Sequence, residues 1–372
     1  MKALILSCNT GEGHNSCAKA IKEYYDLTEN ECIICDALSF ISDKASKIIS
    51  QGHIWVYRNA PQIFRTGYKL AEKHPEIFQN GASVYKYLTK GSERMYKYIS
   101  EGDFDTVICT HVFSSLMLTD MLKKHPMKIK TCFVATDYTC SPSCKESNLD
   151  TYFIPDLSLK DDFLCENITS DKMIAGGIPV RQMFYRKIHK ATAKKYQGIS
   201  ENHKHILIMC GSMGCGPIEK LTKALSSKLH SDWNMTVVCG TNEKLRNKLS
   251  NRFKDSRNIH IKGFVKDMSV LMDSADLYIT KPGGISISEA AVKNLPMVFI
   301  NAVAGCEEYN SKYFMDIGGA VSGANVKELT DICVELLSDE SKLFKMYESL
   351  AERINCNGAK MIFSEMENIK AV

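Results

Sequence analysis

Two successive series of short apolar runs, separated by helix-like segments, constrain the fold of this chain more than any other feature. The first series is KALILS, ECIICD, TVICT, KTCFVA and TYFIP, and the second is HILIMC, MTVVC, NIHIKG, LYIT and MVFI. Runs that are almost continuously apolar are typical of strands in a parallel sheet that helices cover on both faces. The two series therefore predict an α/β protein with two doubly wound domains.

The segment between the two series marks the expected boundary between the domains. It is polar, basic and helix-like, and reads RKIHKATAKKYQGISENHKH. A chain of 372 residues is also long for one hydrophobic core. We expect a first domain over residues 1–185, a linker over 186–204, a second domain over 205–345 and a helical segment over 346–372.

Composition argues against several classes of protein. The formal net charge of +4 does not indicate a nucleic-acid partner. The apolar runs are far shorter than the roughly 18–20 residues of a membrane span, and the first run is too short for a secretory signal. Fifteen scattered cysteines, several of them inside apolar runs, fit a reducing compartment. We therefore expect a cytoplasmic protein.

One insertion is too long for a single crossover helix. About 70 residues separate the runs ECIICD and TVICT. Residues 44–100 contain ten Lys or Arg against three Asp or Glu, together with nine Trp, Tyr and Phe. Two interpretations stay open: a helical subdomain with a solvated basic face, or a surface that lies on an anionic membrane with its aromatic rings at headgroup level.

Two patterns that resemble metal sites are interpreted as structural. Asp103 and Asp105 form a D-x-D pattern, but they precede their strand and so lie at the end of the sheet away from ligands. Cys32 and Cys35 form a C-x-x-C pattern inside a strand-like run, without a second pair. We therefore expect no metal ion.

The loops that follow strands carry the candidate functional residues, because ligands of doubly wound sheets bind beyond the carboxyl ends of the strands. The first loop, NTGEGHN, places Gly11, Gly13 and His14 before a helix-like run. Its glycines would allow tight turning, and a helix N-terminus favours an anion. A dinucleotide site with Asp36 on the ribose is an alternative, although Ser16 occupies the third glycine position.

Two loops of the second series could bind a phosphorylated sugar. In CGSMGCGP, Gly211, Ser212 and Gly214 could present backbone N–H groups to a phosphate, or could form only a tight turn. AVAGCEEYN supplies Glu307 and Asn310, and such clustered polar groups suit sugar hydroxyls.

Between these two loops lies the segment ITKPGGISISEAAVKNLPMVFI. Gly283 and Gly284 turn the chain after a strand, and Ser286 falls near the first turn of the next helix. Glu289 follows on the face of that turn, where it could accept two hydrogen bonds from a vicinal diol such as a ribose. A carboxylate at a helix start would equally complement the helix dipole, so both interpretations stay open.

Together these loops resemble those of a glycosyltransferase group that contains plant monogalactosyldiacylglycerol synthases and bacterial processive diacylglycerol glucosyltransferases. GEGHNSCAKAI is similar to the G-x-G-H motif of the group, TDYTCSP to its T-D segment, and GGIPVRQMF to the segment that closes its N-terminal domain. ILIMCGSMGCGPI, GFVKDM and ADLYITKPGGISISEA resemble its nucleotide-binding loops. A more distant resemblance is to the GlcNAc transferase that makes peptidoglycan lipid intermediates.

The resemblance implies a GT-B fold, in which two Rossmann-like doubly wound domains face each other across a cleft. It implies an inverting, family 28-like enzyme that transfers a hexose from a UDP-sugar to diacylglycerol or a glycosyl-diacylglycerol, without a metal or other cofactor. The insertion then becomes the place where the protein docks, peripherally, on the anionic inner face of the cell membrane.

The resemblance also implies roles for single residues. His14 is the candidate base for the acceptor hydroxyl, and Asp137, after the fourth strand, is either a rival base or the partner that holds the ring. Phe264 borders the uracil and Glu289 holds the ribose. The other implied contacts are Gly11 and Gly13 in the acceptor loop, Gly211, Ser212, Gly214, Gly283, Gly284 and Ser286 around the diphosphate, and Glu307 and Asn310 at the sugar.

The chain departs from the group at Cys306, where the group usually has a glutamine, so the hexose stays open. Other functions also stay open. One is transfer of GlcNAc from its UDP-sugar to a polyprenyl-linked intermediate. An NAD-dependent oxidoreductase and a non-catalytic lipid- or nucleotide-binding protein are the others.

Overall fold

The computed structural model describes residues 1–211, 214, 216–300 and 305–368, and these form two compact units. The first unit comprises residues 1–182, 305–309 and 356–368, and the second comprises the remaining described residues between 183 and 355. The domain boundaries given above stay predictions.

Helices and strands alternate in the first unit. Its strands are β1 (Lys2–Ser7), β2 (Glu31–Asp36), β3 (Thr106–Cys109), β4 (Lys130–Val134), β5 (Thr151–Ile154) and β6 (Met173–Ala175). Its α-helices up to β6 are α1 (Glu12–Tyr25), α2 (Asp43–Asn59), α3 (Pro61–Lys73), α4 (Ser83–Leu88), α5 (Ser92–Glu101), α6 (Val112–Lys124) and α7 (Lys160–Phe163).

The second unit repeats this alternation after the short helices α8 (Gln182–Tyr185) and α9 (Lys190–Tyr196). Its strands are β7 (Lys204–Met209), β8 (Trp233–Val238), β9 (Ile259–Lys262), β10 (Leu277–Thr280), β11 (Met297–Phe299) and β12 (Ala320–Ser322). The following helices are α10 (Ile218–Ser226), α11 (Glu243–Arg252), α12 (Met268–Ser274), α13 (Gly284–Val292), α14 (Cys306–Asp316), α15 (Val326–Ser338), α16 (Glu340–Arg353) and, back in the first unit, α17 (Gly358–Asn368).

Each unit contains a six-stranded parallel sheet. The strand order is β2-β1-β3-β4-β5-β6 in the first sheet and β12-β11-β10-β7-β8-β9 in the second. The order therefore reverses between β1 and β3 in one sheet and between β7 and β10 in the other, and such a reversal opens a crevice for ligands. The predicted α/β class and the ten predicted strands are confirmed.

Two strands are not predicted by the sequence analysis. β6 and β12 have three residues each, lie at an edge of their sheets, and keep partly exposed side chains. A long apolar run is the signature of a strand buried on both faces, so a short edge strand does not carry it.

The insertion between β2 and β3 is helical, as one of its two interpretations predicts. It forms α2 to α5, and α2 begins at a cap in which the Ser42 hydroxyl accepts a hydrogen bond from the Ala45 backbone N–H at 2.9 Å. Tyr85 and Leu88 of α4 are buried against Leu116 of α6. The insertion is therefore packed onto the helices that cover the first sheet.

Candidate active site

Three neighbouring strands of the first sheet end around one histidine. His14 is the third residue of α1, which follows β1, while Thr110 follows β3 and Thr136 comes shortly after β4. Because β1, β3 and β4 are adjacent and parallel, their carboxyl ends bring these three residues to one place beside the strand-order reversal.

The hydrogen bonds of His14 determine which of its ring nitrogens is basic. Nδ1 lies 2.8 Å from the carbonyl oxygen of Thr110 and 3.0 Å from Oγ1 of Thr136. A carbonyl oxygen can only accept, so Nδ1 carries the proton and donates it. Nε2 therefore holds the lone pair of the neutral ring, which is the state that a general base requires.

A second histidine, which the sequence analysis does not select, lies against the first. The ring centroids of His111 and His14 are 4.4 Å apart, with 68° between the ring planes. His111 Nδ1 accepts a hydrogen bond from the Phe113 backbone N–H at 3.0 Å and so caps α6. Its position directly after a buried strand, in TVICTH, is the sequence signal that could have identified it.

The glycines beside His14 do not shape the loop in the way that the sequence analysis expects. Gly11 is the N-cap of α1 with φ 173° and ψ 161°, an extended conformation that any residue adopts, and Gly13 already lies inside the helix. The expected physical reason is therefore wrong, because Thr110 and Thr136 orient the ring. Contact of Gly11 and Gly13 with an acceptor stays a prediction.

Asp137 lies next to Thr136 on the same rim, within electrostatic range of Tyr68 in α3. Burial raises the pKa of the Tyr68 phenol, and the charges of Cys306 and Asp137 add to the shift, so Tyr68 of α3 lies close to both. The phenol therefore keeps its proton and is able to donate it in a hydrogen bond.

The start of α14 packs on α3 within the first unit. Gly305, with φ 61°, lies so close to Tyr68 that a Cβ atom there would be 2.6 Å from the ring Cγ. Glycine is therefore required at this position by both space and backbone conformation. The Arg65 guanidinium donates to Glu308 Oε1 at 2.7 Å, and Cys306 lies between these two contacts.

Asp36, the candidate ribose ligand of a dinucleotide site, is engaged within the protein. Its Oδ2 accepts hydrogen bonds from Asn9 Nδ2 at 2.9 Å and from the Ser46 hydroxyl of α2. Asn9 Oδ1 in turn accepts from Asn15 Nδ2 at 2.9 Å. Asp36 therefore joins the His14 loop to α2, which favours a structural role over ribose binding.

One face of each of the helices α2 and α3 exposes apolar side chains. Ile48 and Trp55 lie seven residues apart on one face of α2, as do Ile63 and Leu70 on α3, and Trp55 is 61% exposed. The exposed lysines of the same helices are Lys44, Lys47, Lys69 and Lys73. We call these eight residues the basic apolar face.

In the second unit, the loop after β7 is built on glycines in the left-handed conformation. Gly211, Gly214 and Gly216 have φ values of 70°, 57° and 106°. A Cβ atom on Gly214 would lie 2.4 Å from the Cys239 carbonyl oxygen, so no other residue fits there. Asn242, which the sequence analysis does not select, caps α11 and donates to the Gly214 carbonyl at 3.2 Å.

The segment after β10 forms a second turn beside this loop. Gly283 caps α13, and the Ser286 hydroxyl donates back to its carbonyl at 3.2 Å. Glu289 is the sixth residue of α13 and so belongs to the second turn, which weakens the helix-dipole interpretation. Burial raises the pKa of Tyr278, and the nearby Glu289 carboxylate adds to the shift.

The remaining candidates have different environments. The Phe264 side chain, after β9, is 69% exposed, so its ring face is accessible. Asn310 is fully buried and donates from Nδ2 to the Pro282 carbonyl at 3.0 Å, which holds the turn before α13. Glu307 is buried in the first turn of α14. Ser212 lies outside the described residues.

The described ranges contain neither a helix that could span a membrane nor a cluster of side chains that could hold a metal ion. No helix there is both long and apolar enough to cross a bilayer. Within the same residues, no three His, Cys, Asp or Glu side chains are grouped to hold a metal ion. The cysteines that the structure describes are free thiols.

Family models match both halves of the chain. Residues 14–180 match the family described as monogalactosyldiacylglycerol (MGDG) synthase, and residues 205–366 match the C-terminal domain of glycosyltransferase family 28. A processive diacylglycerol β-glucosyltransferase of Bacillus pumilus is 28% identical over 352 residues, which are 94% of this chain and 90% of the relative.

Solved structures share the fold. MurG of Acinetobacter baumannii aligns with a TM-score of 0.67 and 13% identity, over 99% of both chains. A UDP-GlcNAc 2-epimerase of Neisseria meningitidis, bound to UDP-GlcNAc, aligns with a TM-score of 0.63 and 16% identity, over 99% of this chain and 100% of the other. The predicted GT-B fold is confirmed, and since an epimerase shares it, the fold alone does not assign the reaction.

Proposed function

Since the chain belongs to the glycosyltransferase family of the monogalactosyldiacylglycerol synthases, we propose that it transfers a hexose from a UDP-sugar to diacylglycerol or a glycosyl-diacylglycerol, with inversion at the anomeric carbon. The observation that carries the proposal is the hydrogen bond between His14 Nδ1 and the Thr110 carbonyl. This hydrogen bond leaves the lone pair on Nε2, at the place where three strands end. A hydroxyl group that acts as nucleophile must lose its proton, and Nε2 can accept it.

The reaction is a single displacement. The acceptor oxygen attacks the anomeric carbon from the face opposite the diphosphate, and the bond between that carbon and the β-phosphate oxygen breaks as the new bond forms. His14 Nε2 takes the hydroxyl proton, and the electron pair of the broken bond leaves with UDP. Asp137, beside Thr136, is the alternative base.

The second unit supplies the contacts to UDP. The exposed ring of Phe264 stacks on uracil, and the Glu289 carboxylate accepts hydrogen bonds from the ribose diol. Backbone N–H groups and the N-terminus of α13 provide positive potential for the diphosphate, so the proposal includes no metal ion. The contacts we assign to diphosphate and hexose are Gly211, Ser212, Gly214, Gly283, Gly284, Ser286, Glu307 and Asn310.

The acceptor reaches the site from a membrane on which the first unit docks. The basic apolar face combines side chains that enter the interface with lysines that pair with anionic headgroups, each contributing on the order of 1 kcal/mol. α3 carries part of this face, and its Tyr68 lies near Asp137, so one helix links the surface to the catalytic rim. The described cysteines are free thiols, which supports a location on the cytoplasmic side of the membrane.

Product analysis tests the reaction. Purified protein is incubated with a panel of UDP-sugars and vesicles that contain diacylglycerol, and lipids are identified by mass spectrometry. We expect a hexosyl-diacylglycerol that forms only with a UDP-hexose. Transfer to a polyprenyl phosphate acceptor but not to diacylglycerol would contradict the assignment, and so would tight binding of a nicotinamide cofactor without any transfer.

Vesicle sedimentation tests the docking surface. The double substitution Ile63→Ser with Leu70→Ser removes two exposed side chains of α3 and should lower binding to anionic vesicles about tenfold or more. Phe344→Ser with Tyr347→Ser is the matched control, because these side chains are also exposed but lie on α16. Docking through this face would be refuted if the two double variants bound anionic vesicles equally well. It would also be refuted if the parent bound neutral and anionic vesicles equally well.

A further inference from the structure

We propose that Lys281 is a further functional residue of the donor site, and that its ammonium group stabilises the negative charge of the departing nucleoside diphosphate. This inference rests on the proposed function. It assigns to a side chain part of the role that the proposed function gives to backbone N–H groups and the N-terminus of α13. The two glycines of the segment TKPGG are candidate site residues in the sequence analysis, whereas the lysine that precedes them is not.

The register of the second sheet brings Lys281 to the glycine loop. Ile279 of β10 pairs with Ile208 of the parallel strand β7. Lys281 directly follows the last residue of β10, and Cys210, which precedes Gly211, directly follows the last residue of β7. β7 and β10 flank the point where the strand order reverses, and ligands of doubly wound sheets bind at that point.

The Lys281 side chain extends across Gly211. A Cβ atom on Gly211 would lie 3.0 Å from Lys281 Cε and 3.7 Å from its Nζ. A side chain at position 211 would therefore press on the aliphatic stem of the lysine. The glycine leaves room for this stem, so the ammonium group lies beside the loop that we assign to the diphosphate.

The chemistry of the transfer uses a positive charge at this place. When the bond to the anomeric carbon breaks, its electron pair stays on the β-phosphate oxygen, and the diphosphate becomes more negative. A fixed cation in a site with little water stabilises this charge more than a surface cation does, because screening is weaker. Lys281 is partly buried, and its carbonyl accepts from the Gly283 N–H at 2.8 Å, so the lysine belongs to the turn that starts α13.

Ligands of increasing charge test the proposal in the full chain. The affinities of uridine and UDP and the turnover at saturating UDP-hexose are measured for the parent, Lys281→Gln and Lys281→Arg. Lys223→Gln is the matched control, because it removes an exposed lysine of α10 in the same unit. We expect Lys281→Gln to keep the uridine affinity, to weaken UDP roughly tenfold or more, and to lower turnover roughly 100-fold. Lys281→Arg should recover part of both losses.

Two results would overturn the assignment. If Lys281→Gln weakens the binding of uridine and of UDP equally, Lys281 has a structural role. If the variant keeps both the UDP affinity and the turnover of the parent, the ammonium group contributes neither to UDP binding nor to catalysis. If the parent protein itself neither binds UDP nor transfers a hexose, the proposed function fails instead. The two failures are therefore distinguishable.

Discussion

The two sheets reverse their strand order in equivalent places but present different groups there. In the first unit, the crevice between β1 and β3 is surrounded by side chains that can carry or exchange protons, namely His14, His111 and Asp137. In the second unit, the crevice between β7 and β10 is surrounded by glycines with positive φ, such as Gly211 and Gly214. We therefore propose that equivalent positions in the two sheets serve proton transfer in the first unit and anion binding through the backbone in the second.

The crossover connections differ in the same way. The chain returns from β9 to β10 over residues 263–276, whereas the return from β2 to β3 takes residues 37–105. The extra residues of the first unit form α2 to α5 and carry the basic apolar face. The short crossover contains α12 alone, and we propose that the long one provides a surface that a lipid acceptor can approach.

The largest expected effect comes from removing the proposed catalytic base of the first unit. His14→Ala should lower turnover by about 10²–10⁴, because it removes a general base. The affinity for UDP should not change, because the residue lies in the first unit. Turnover at saturating donor and acceptor, together with calorimetry of UDP binding, checks both statements.

Turnover within threefold of the parent would remove His14 from the mechanism and shift the assignment to Asp137. Thr136→Val refines the test, because it removes one hydrogen bond to Nδ1 and keeps the size of the side chain. We expect a smaller loss, about threefold to tenfold.

The next prediction concerns a buried histidine of the second unit. His205 in β7 is completely buried between Ser274 and Thr236, and burial lowers its pKa to about 4. As the pH falls, His205 is protonated in the unfolded chain before it is protonated in the folded chain. The free energy of unfolding should therefore decrease as the pH drops below about 6.5, by about 3 kcal/mol at pH 4.

His205→Gln should flatten the pH dependence of the unfolding free energy, whereas the exposed His189→Gln should keep it. Denaturant unfolding between pH 6.5 and 5 measures the slopes. An unchanged slope in the His205 variant would show that this residue does not provide the acid sensitivity.

A third prediction concerns the binding of UDP by the second unit. Glu289→Ala should weaken UDP binding by roughly 2–3 kcal/mol, because a charged acceptor of two hydrogen bonds is lost. Binding of 2′-deoxy-UDP should be much less sensitive to the substitution, since half of the diol is already missing. Calorimetry that shows the same loss for both nucleotides would refute a contact with the ribose.

The smallest effect concerns the choice of hexose. Cys306→Gln restores the side chain that the family usually has and should change the turnover ratio of UDP-glucose to UDP-galactose by about threefold to tenfold, the value of one hydrogen bond. The affinity for UDP should stay the same. A constant ratio would mean that position 306 does not contact the sugar.

Most of the fold could be predicted from the sequence because buried parallel strands leave a local signal. Ten strands follow from the apolar runs, whereas β6 and β12 at the sheet edges have three residues each and mostly partly exposed side chains, so their signal is weaker. The helical segment predicted over residues 346–372 instead contains the end of α16 and α17, and residues 354–357 separate them. Nothing in a helical composition alone indicates that the chain changes direction there.

The site could be predicted less completely, because its geometry depends on contacts between distant residues. The loop positions of His14 and Gly214 follow from short motifs. The groups that hold them do not: Thr136 is 122 residues from His14, and Asn242 is 28 residues from Gly214. Only the sheet topology brings such pairs together, so the tautomer of His14 could not be predicted from the sequence.

The return of α17 to the first unit has a consequence for the order of folding during synthesis. The rings of Phe363 and Tyr25 lie 4.9 Å apart, Ile362 is completely buried, and a Cβ atom on Gly358 would lie 2.4 Å from the Gly177 carbonyl. Gly358 leaves the ribosome about 180 residues after Gly177. While the second unit is translated, the part of α1 that packs on α17 stays uncovered, so the unit that begins first is completed last and needs protection from aggregation in that interval.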